Sequence, residues 1–363
     1  MDKVEIIAEA GVNHNGNRDM AFQLVDVAVE AGADAVKFQT FKTENVVTKN
    51  TDKAAYQKQT TDSFETHFEM LKKLELSHNL HYELVEYCRE QKIEFLSTAF
   101  DLESLDFLAN QLKLKTLKIP SGEITNGPLL LAYAKTGCNL ILSTGMSTLK
   151  EVERALEVLA FGLINDDTIK PSKISFQQAY LSTEGRQLLK EKVTILHCTT
   201  EYPALPQEIN LNAMLTMLAT FGLRTGYSDH SEGITVSIAA TAMGAILIEK
   251  HFTLDKTLPG PDHKASLEPN ELIAMIKAIR TVEQAIGDGV KGPTSSELKN
   301  KLIVRKSLIA SKYIKKGEKF TEYNMTIKRP GTGISPMEYW NLIGKIAQID
   351  IIQDTVIESV VSQ

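Results

Sequence analysis

Two lysines stand inside apolar runs of strand length, Lys37 in VKFQT and Lys118 in LKIPSGE. An unpaired ammonium is too costly to bury by accident, so each must reach a polar space. Two chemistries use such a lysine: a Schiff base with a carbonyl substrate, or a fixed positive charge that holds an anion. Ser121, at the end of the run that holds Lys118, and Ser143, after another apolar run, favour the anion cradle. STGMS, at Ser143–Ser147, adds backbone N–H groups at an expected helix start, a phosphate site that reads equally as a plain N-cap. His230 and His251 end two neighbouring runs, and imidazole is a common ligand of divalent metals. The competing reading is a pair of satisfied core histidines. With two histidines and oxygen donors in Glu9 and Asp262, a metal here would be octahedral Mn2+ or Mg2+ rather than tetrahedral zinc. Cys198 follows His197, but adjacent strand residues point to opposite faces, which spoils a nucleophile–base dyad and leaves Cys198 as barrel packing. His14 in GVNHNGN is a turn residue or a substrate contact, and His67, His78, His81 and His263 read as surface residues.

Such scattered residues need a scaffold that gathers them. Short apolar runs alternate with amphipathic segments such as Met20–Ala31 and His81–Gln91, the signature of βαβ units. Eight runs are present: Val4–Ala8, Ala35–Phe38, Glu94–Leu96, Thr116–Ile119, Leu140–Leu142, Val193–Leu196, Leu223–Tyr227 and Ala245–Ile248. Eight units imply a (β/α)8 TIM barrel, an α/β fold whose chemistry collects at the C-terminal strand ends. Every exit is polar, from Glu9, Lys37 with Gln39, Thr98, and Lys118 with Ser121 and Glu123, to Ser143, Thr199 with Thr200, Ser228 with Asp229 and His230, and Glu249 with His251. The barrel is expected over 1–286, with GDGVKGPTSS in a linker at 287–302 and a small β-rich module at 303–363. Lys42–Leu76 should border the site, whereas Gly162–Lys192 reads as a surface insertion without a catalytic role.

Composition narrows the partners. The 363 residues are 43% apolar and carry a net charge of -6, which argues against a nucleic-acid footprint and turns attention to small molecules. No stretch approaches the ~20 apolar residues of a membrane span. Three separated cysteines suit a reducing compartment, so the cytoplasm is the default location.

Eight ordered blocks then stand out: IIAEAGVNHNG, AVKFQTF, LSTAFD, KIPSGEITN, LSTGMS, ILHCTTEYP, GYSDHSEG and IEKHFTLDKTLPGPDHKASLEP. Together they closely resemble the bacterial sialic acid synthase family over essentially the whole chain, and RKSLIASKYIKKGEKF with IKRPGTGISP resembles its antifreeze-like (SAF, β-clip) module. The resemblance implies a metal-dependent transferase that condenses phosphoenolpyruvate with open-chain N-acetylmannosamine and water, giving N-acetylneuraminate and phosphate by C–O cleavage. It implies that phosphoenolpyruvate lies against Lys37, Lys118, Ser121 and Ser143, with Ser228 also binding substrate. His230 and His251 would hold Mn2+ or Mg2+. Glu9 would position or activate the water, with Glu123 as a second carboxylate. Gln39, Thr98, Tyr202 and Asp262 match positions that contact ligands. Arg329 matches an arginine that reaches the partner subunit's barrel, implying a domain-swapped homodimer. Ala99 and Thr200 depart from the family pattern, where proline and asparagine also occur. The alternatives are an N,N'-diacetyllegionaminate synthase using 2,4-diacetamido-2,4,6-trideoxymannose by the same mechanism, a Schiff-base aldolase, and a non-catalytic sugar-binding protein.

Overall fold

The computed structural model describes residues 3–62, 64–164 and 168–358. The chain divides into two compact units, Met1–Asp288 and Gly289–Gln363. In the first, eight strands close into a barrel in sequential order: β1 (Glu5–Gly11), β2 (Ala35–Thr40), β3 (Glu94–Ala99), β4 (Thr116–Ile119), β5 (Asn139–Ser143), β6 (Val193–Cys198), β7 (Arg224–Asp229) and β8 (Leu247–His251). All neighbours pair in parallel. Each apolar run of the sequence is a strand. Most strands outlast their run at the C-terminal end, because ladder hydrogen bonds join backbones and do not require apolar side chains.

Those polar extensions are positioned by strand periodicity. Inside the barrel lies an apolar layer of Ile7, Ala35, Leu96, Ile141, Leu196 and Leu247. Residues two apart on a strand share a face. One step beyond each plug residue therefore stands, in turn, Glu9, Lys37, Thr98, Ser143, Cys198 and Glu249, pointing into the same lumen. In β7 the plug position is Gly226. A Cβ there would lie 2.4 Å from the Leu247 carbonyl oxygen and 2.8 Å from Leu196 Cδ2, so only glycine fits between the neighbouring leucines.

Helices wrap the barrel over two larger apolar clusters. The insertion at 162–192 contains helices Lys173–Leu181 and Thr183–Lys192, which pack on the helix Leu149–Ile164 of the outer ring. The segment 42–76 folds into three short helices, Thr43–Val46, Ala55–Thr60 and His67–Leu74. The second unit has its own core around Leu308, Ile314, Phe320 and Met325, and pairs β9 (Ser307–Ala310) with β10 (Met325–Lys328) antiparallel. It also contains a helix, Ser295–Val304, capped by Thr294 and Glu297 where the sequence reads as linker. Ile303 and Val304 lie off the face that Leu298 and Leu302 share, which blurs the periodicity of that helix.

Candidate active site

The lumen opens at the C-terminal strand ends into a cavity of about 320 Å3, within the size range of small-molecule sites. Its floor is a buried quartet of charged groups. Lys118 Nζ donates to both oxygens of Glu249, at 2.6 and 2.7 Å. Lys37 Nζ lies 2.6 Å from Glu9 Oε2, 3.6 Å from Glu249 Oε2 and 3.1 Å from Thr98 Oγ1. Ser228 Oγ gives Glu249 Oε1 a further bond at 2.8 Å. Burial by itself raises the Glu249 pKa, but the two ammonium groups outweigh it and hold this carboxylate ionised. At Glu9 burial, joined by the charge of Glu249, outweighs the pull of Lys37 and Lys118 and pushes the pKa up to about 7. Burial lowers the pKa of Lys118, with Glu249 opposing. At Lys37 burial also works against the charge, yet Glu249 and Glu9 prevail and raise its pKa. An ammonium has three donors. Two of Lys118's are spent on Glu249, so one remains for a ligand. A doubly hydrogen-bonded ammonium is a charge held in place.

Two neutral imidazoles stand beside this floor. His230 Nδ1 lies 2.7 Å from the Thr199 carbonyl oxygen. A carbonyl only accepts, so Nδ1 carries the proton and the Nε2 lone pair faces Tyr202 Oη at 3.1 Å. Burial pushes the His230 pKa down to about 4 and that of His251 well below its ordinary value. The two rings are 5.6 Å apart. His251 Nδ1 is buried without a hydrogen-bond partner, 3.8 Å from Asp262 Oδ2. Burial raises Asp262 to about 6. An unpartnered imidazole nitrogen next to a carboxylate is what a divalent cation would use, so the donors fit a metal. Among the described residues no three His, Cys, Asp or Glu side chains converge on one point. A cation would therefore complete its shell with substrate or water. Gly11, at φ 53° in the β1 bulge, keeps this corner tight, since a Cβ would come within 3.3 Å of both Glu9 Oε1 and His251.

Gln39, Thr98, Ser121, Ser143, Tyr202, Ser228 and Asp262 all line the same cavity, as do Val46, His67, Met70, Leu71 and Leu74 from the 42–76 segment. Glu123 does not. Its carboxylate accepts from Asn126 Nδ2 at 2.7 Å, at the start of the helix Gly127–Lys135. Arg329 belongs to the second unit, where it is exposed and its Nε donates to the Val304 carbonyl at 3.0 Å.

Several readings change. Cys198 is buried as expected, but its Sγ lines the cavity, 3.2 Å from Ser121 Oγ, while His197 turns outward to the Ile209 carbonyl. STGMS makes a turn, and the cap of the following helix is Thr148, whose Oγ1 accepts from Glu151 N. Within that turn Gly145 N donates to Ser121 Oγ at 2.9 Å, and a Cβ on Gly145 would lie 2.2 Å from Thr200 Oγ1. Asp229 faces away from the lumen in a buried pair with Lys250 at 3.2 Å. His14, His81 and His263 are fully buried, and none lines the cavity. His81 Nε2 meets Thr40 Oγ1 at 2.8 Å, 41 residues away in sequence, and its Nδ1 reaches the Ser77 carbonyl at 2.9 Å within its own helix start. The central residue that sequence reasoning left without a role is Glu249. Its signal was present, an acid two residues before a candidate ligand in an apolar strand.

Fold and site define a (β/α)8-barrel enzyme with a buried cluster of two lysines and two glutamates at the floor of its cavity. The chain belongs to the NeuB family, whose model matches residues 24–291, and residues 305–358 match the SAF domain. It is 50% identical to the N,N'-diacetyllegionaminic acid synthase of Campylobacter jejuni, covering 98% of this chain and 99% of that protein. With the enzyme of the same name from Legionella pneumophila it shares 47%, over 93% and 89%. Among solved structures it is similar to the N-acetylneuraminic acid (sialic acid) synthetase of Leptospira borgpetersenii in complex with citrate, at TM-score 0.66 and 31% identity, over 82% and 90% of the two chains.

Proposed function

We propose that this enzyme is an N,N'-diacetyllegionaminate synthase, condensing phosphoenolpyruvate with 2,4-diacetamido-2,4,6-trideoxymannose and water. The observation that carries the choice is the near-full-length identity of 50% and 47% to two synthases of that name, against 31% to a sialic acid synthetase. This reverses the order of the two substrates suggested by the sequence motifs, which are shared by the whole family.

The phosphate and carboxylate of phosphoenolpyruvate occupy the cradle of Lys118 and Lys37, with the hydroxyls of Ser121, Ser143 and Ser228 around it. His230 and His251 would hold a divalent cation, Mn2+ or Mg2+, whose Lewis acidity polarises and orients the aldehyde oxygen. The π electrons of the enol form a bond from C3 to the aldehyde carbon as the C=O π bond opens onto the aldehyde oxygen, which takes a proton from solvent to become a hydroxyl. Positive charge develops at C2, next to the buried Glu9 and Glu249 carboxyl groups. Water adds at C2 and gives a proton to Glu9, whose raised pKa makes it a competent base near neutrality. The tetrahedral carbon then collapses to the ketone, its hydroxyl proton passing to the departing phosphate as the bond from C2 to the phosphate oxygen breaks, and Glu9 returns its proton to solvent. Thr98 keeps Lys37 in register with Glu9 through its 3.1 Å bond.

Phosphate release with phosphoenolpyruvate and a panel of amino sugars tests the reading. The 2,4-diacetamido sugar should give the highest kcat/KM; a higher value for N-acetylmannosamine would overturn the choice.

A further inference from the structure

One wall of the cavity has no part in the reaction described above. Val12, Phe41, Met70 and Leu74 form a separate buried apolar cluster, with Val46, Leu71 and Phe100 packed against it, and all seven line the same cavity as the charged floor. The wall is largely one helix, His67–Leu74, started by a reciprocal cap in which Thr66 Oγ1 accepts from Glu69 N and Glu69 Oε2 accepts from Thr66 N. His67, Met70, Leu71 and Leu74 follow the i, i+3, i+4, i+7 spacing and so share one helix face. That face turns to the cavity. The opposite face is polar, with Lys72 bonded to Glu44 at 2.9 Å. His67 interrupts the apolar surface, and its Nδ1 is buried without a hydrogen-bond partner. Burial lowers its pKa, so the ring is neutral and offers one donor and one acceptor.

An apolar wall with a single imidazole suits a particular kind of sugar. N-acetylmannosamine would bring hydroxyl groups at C4 and C6 against Met70, Leu71 and Leu74, side chains that displace their hydration and offer no hydrogen bond in return. A 6-deoxy sugar with an acetamido group at C4 offers two methyl groups to the wall and one amide to the histidine. We propose that the helix face of His67, Met70, Leu71 and Leu74 is the subsite for the distal half of the sugar, with the two methyls on the apolar side chains and the C4 acetamido group hydrogen-bonded to His67. The inference rests on the phosphoenolpyruvate-dependent reaction above and names the residues that select its sugar.

The test is steady-state phosphate release from the full-length enzyme with Mn2+, using 2,4-diacetamido-2,4,6-trideoxymannose and varying each substrate in turn. His67→Ala and, separately, Leu71→Asn should raise the sugar KM on the order of 10-fold. The loss in kcat and the shift in phosphoenolpyruvate KM should both be much smaller, because the contact is remote from the reacting carbons. His67→Asn, which keeps a hydrogen-bonding side chain, should recover part of the sugar affinity relative to His67→Ala. Far-UV circular dichroism and the melting temperature identify a variant that misfolds, and His67→Asn then decides alone through its sugar KM. Unchanged sugar KM in folded variants, or an equal rise in both substrates' KM values, overturns the subsite while the reaction stands. A wild-type enzyme that leaves the diacetamido sugar untouched overturns the substrate reading and the subsite with it.

Discussion

Lys118 donates to both carboxylate oxygens of Glu249, so the buried cation and the buried anion at the floor of the cavity are a single unit. Removing one partner of such a pair leaves the other charged and desolvated, at a cost of about 3 to 5 kcal/mol. Glu249→Ala should therefore lower the unfolding free energy in urea by about 3 kcal/mol or more. Lys118→Met should weaken phosphoenolpyruvate on the order of 10²-fold, measured by calorimetry, with a smaller effect on the sugar. Unchanged phosphoenolpyruvate affinity would remove Lys118 from the cradle.

Glu9 ionises at about 7 because it is buried and shares its lysine with Glu249. A base must be ionised to accept the proton of water, so kcat/KM should rise with pH on an acidic limb near 7. Glu9→Gln should lose activity by roughly 10²- to 10⁴-fold, and the residual rate should lack that limb. A limb that persists in the variant would assign it to another group.

Acid should unfold the metal-free protein early. His14 is held down to about 3, and His81, His230 and His263 to about 4, all by burial. Their folded pKa values lie below the ordinary 6.5, so the unfolded chain takes up more protons as pH falls below 6.5, and stability is lost towards pH 4. Glu9 and Asp262 act in the opposite sense: their raised values favour the folded state at low pH, and that contribution fades as pH rises through about 6 to 7. The histidines outnumber the acids. Stability in EDTA should fall on the order of 3 kcal/mol per pH unit between pH 6 and 5. Urea midpoints independent of pH over this range would contradict the burial of these rings.

Chelation should abolish turnover and Mn2+ restore it. Loss of an outer-shell partner costs about 10- to 100-fold in metal affinity. His230→Ala and His251→Ala should exceed that in a direct metal-binding titration. Full activity in metal-free enzyme would refute the assignment.

We propose that Arg329 completes the sugar site of a partner subunit in a domain-swapped dimer. Arg329→Ala should impair sugar use while leaving the barrel folded. Subunit exchange between Arg329→Ala and Lys118→Met enzymes should then regenerate activity, because some sites carry both wild-type halves. Demonstrated exchange without recovery would exclude action in trans.

The sequence by itself determined the barrel. Eight apolar runs separated by amphipathic helices admit one closed parallel sheet, and period-two alternation then fixes that Glu9, Lys37, Lys118, Ser143, Ser228 and Glu249 share its lumen. Their placement was legible because strand geometry is local. What the tertiary structure decided was pairing and burial. Whether Glu249 serves Lys118 or Lys37 depends on barrel closure between β1 and β8, which sets Glu249 across the lumen from Lys118, 131 residues away in sequence. Glu123 turned to Asn126 because a short helical turn after β4 rotates it off the strand's lumen-facing row. His67, His81 and His263 appeared to be surface residues because a helix or loop in isolation does not reveal what covers it. Burial is a property of the whole packing, and it is burial that made these rings neutral and left His67 Nδ1 unpartnered in the cavity wall.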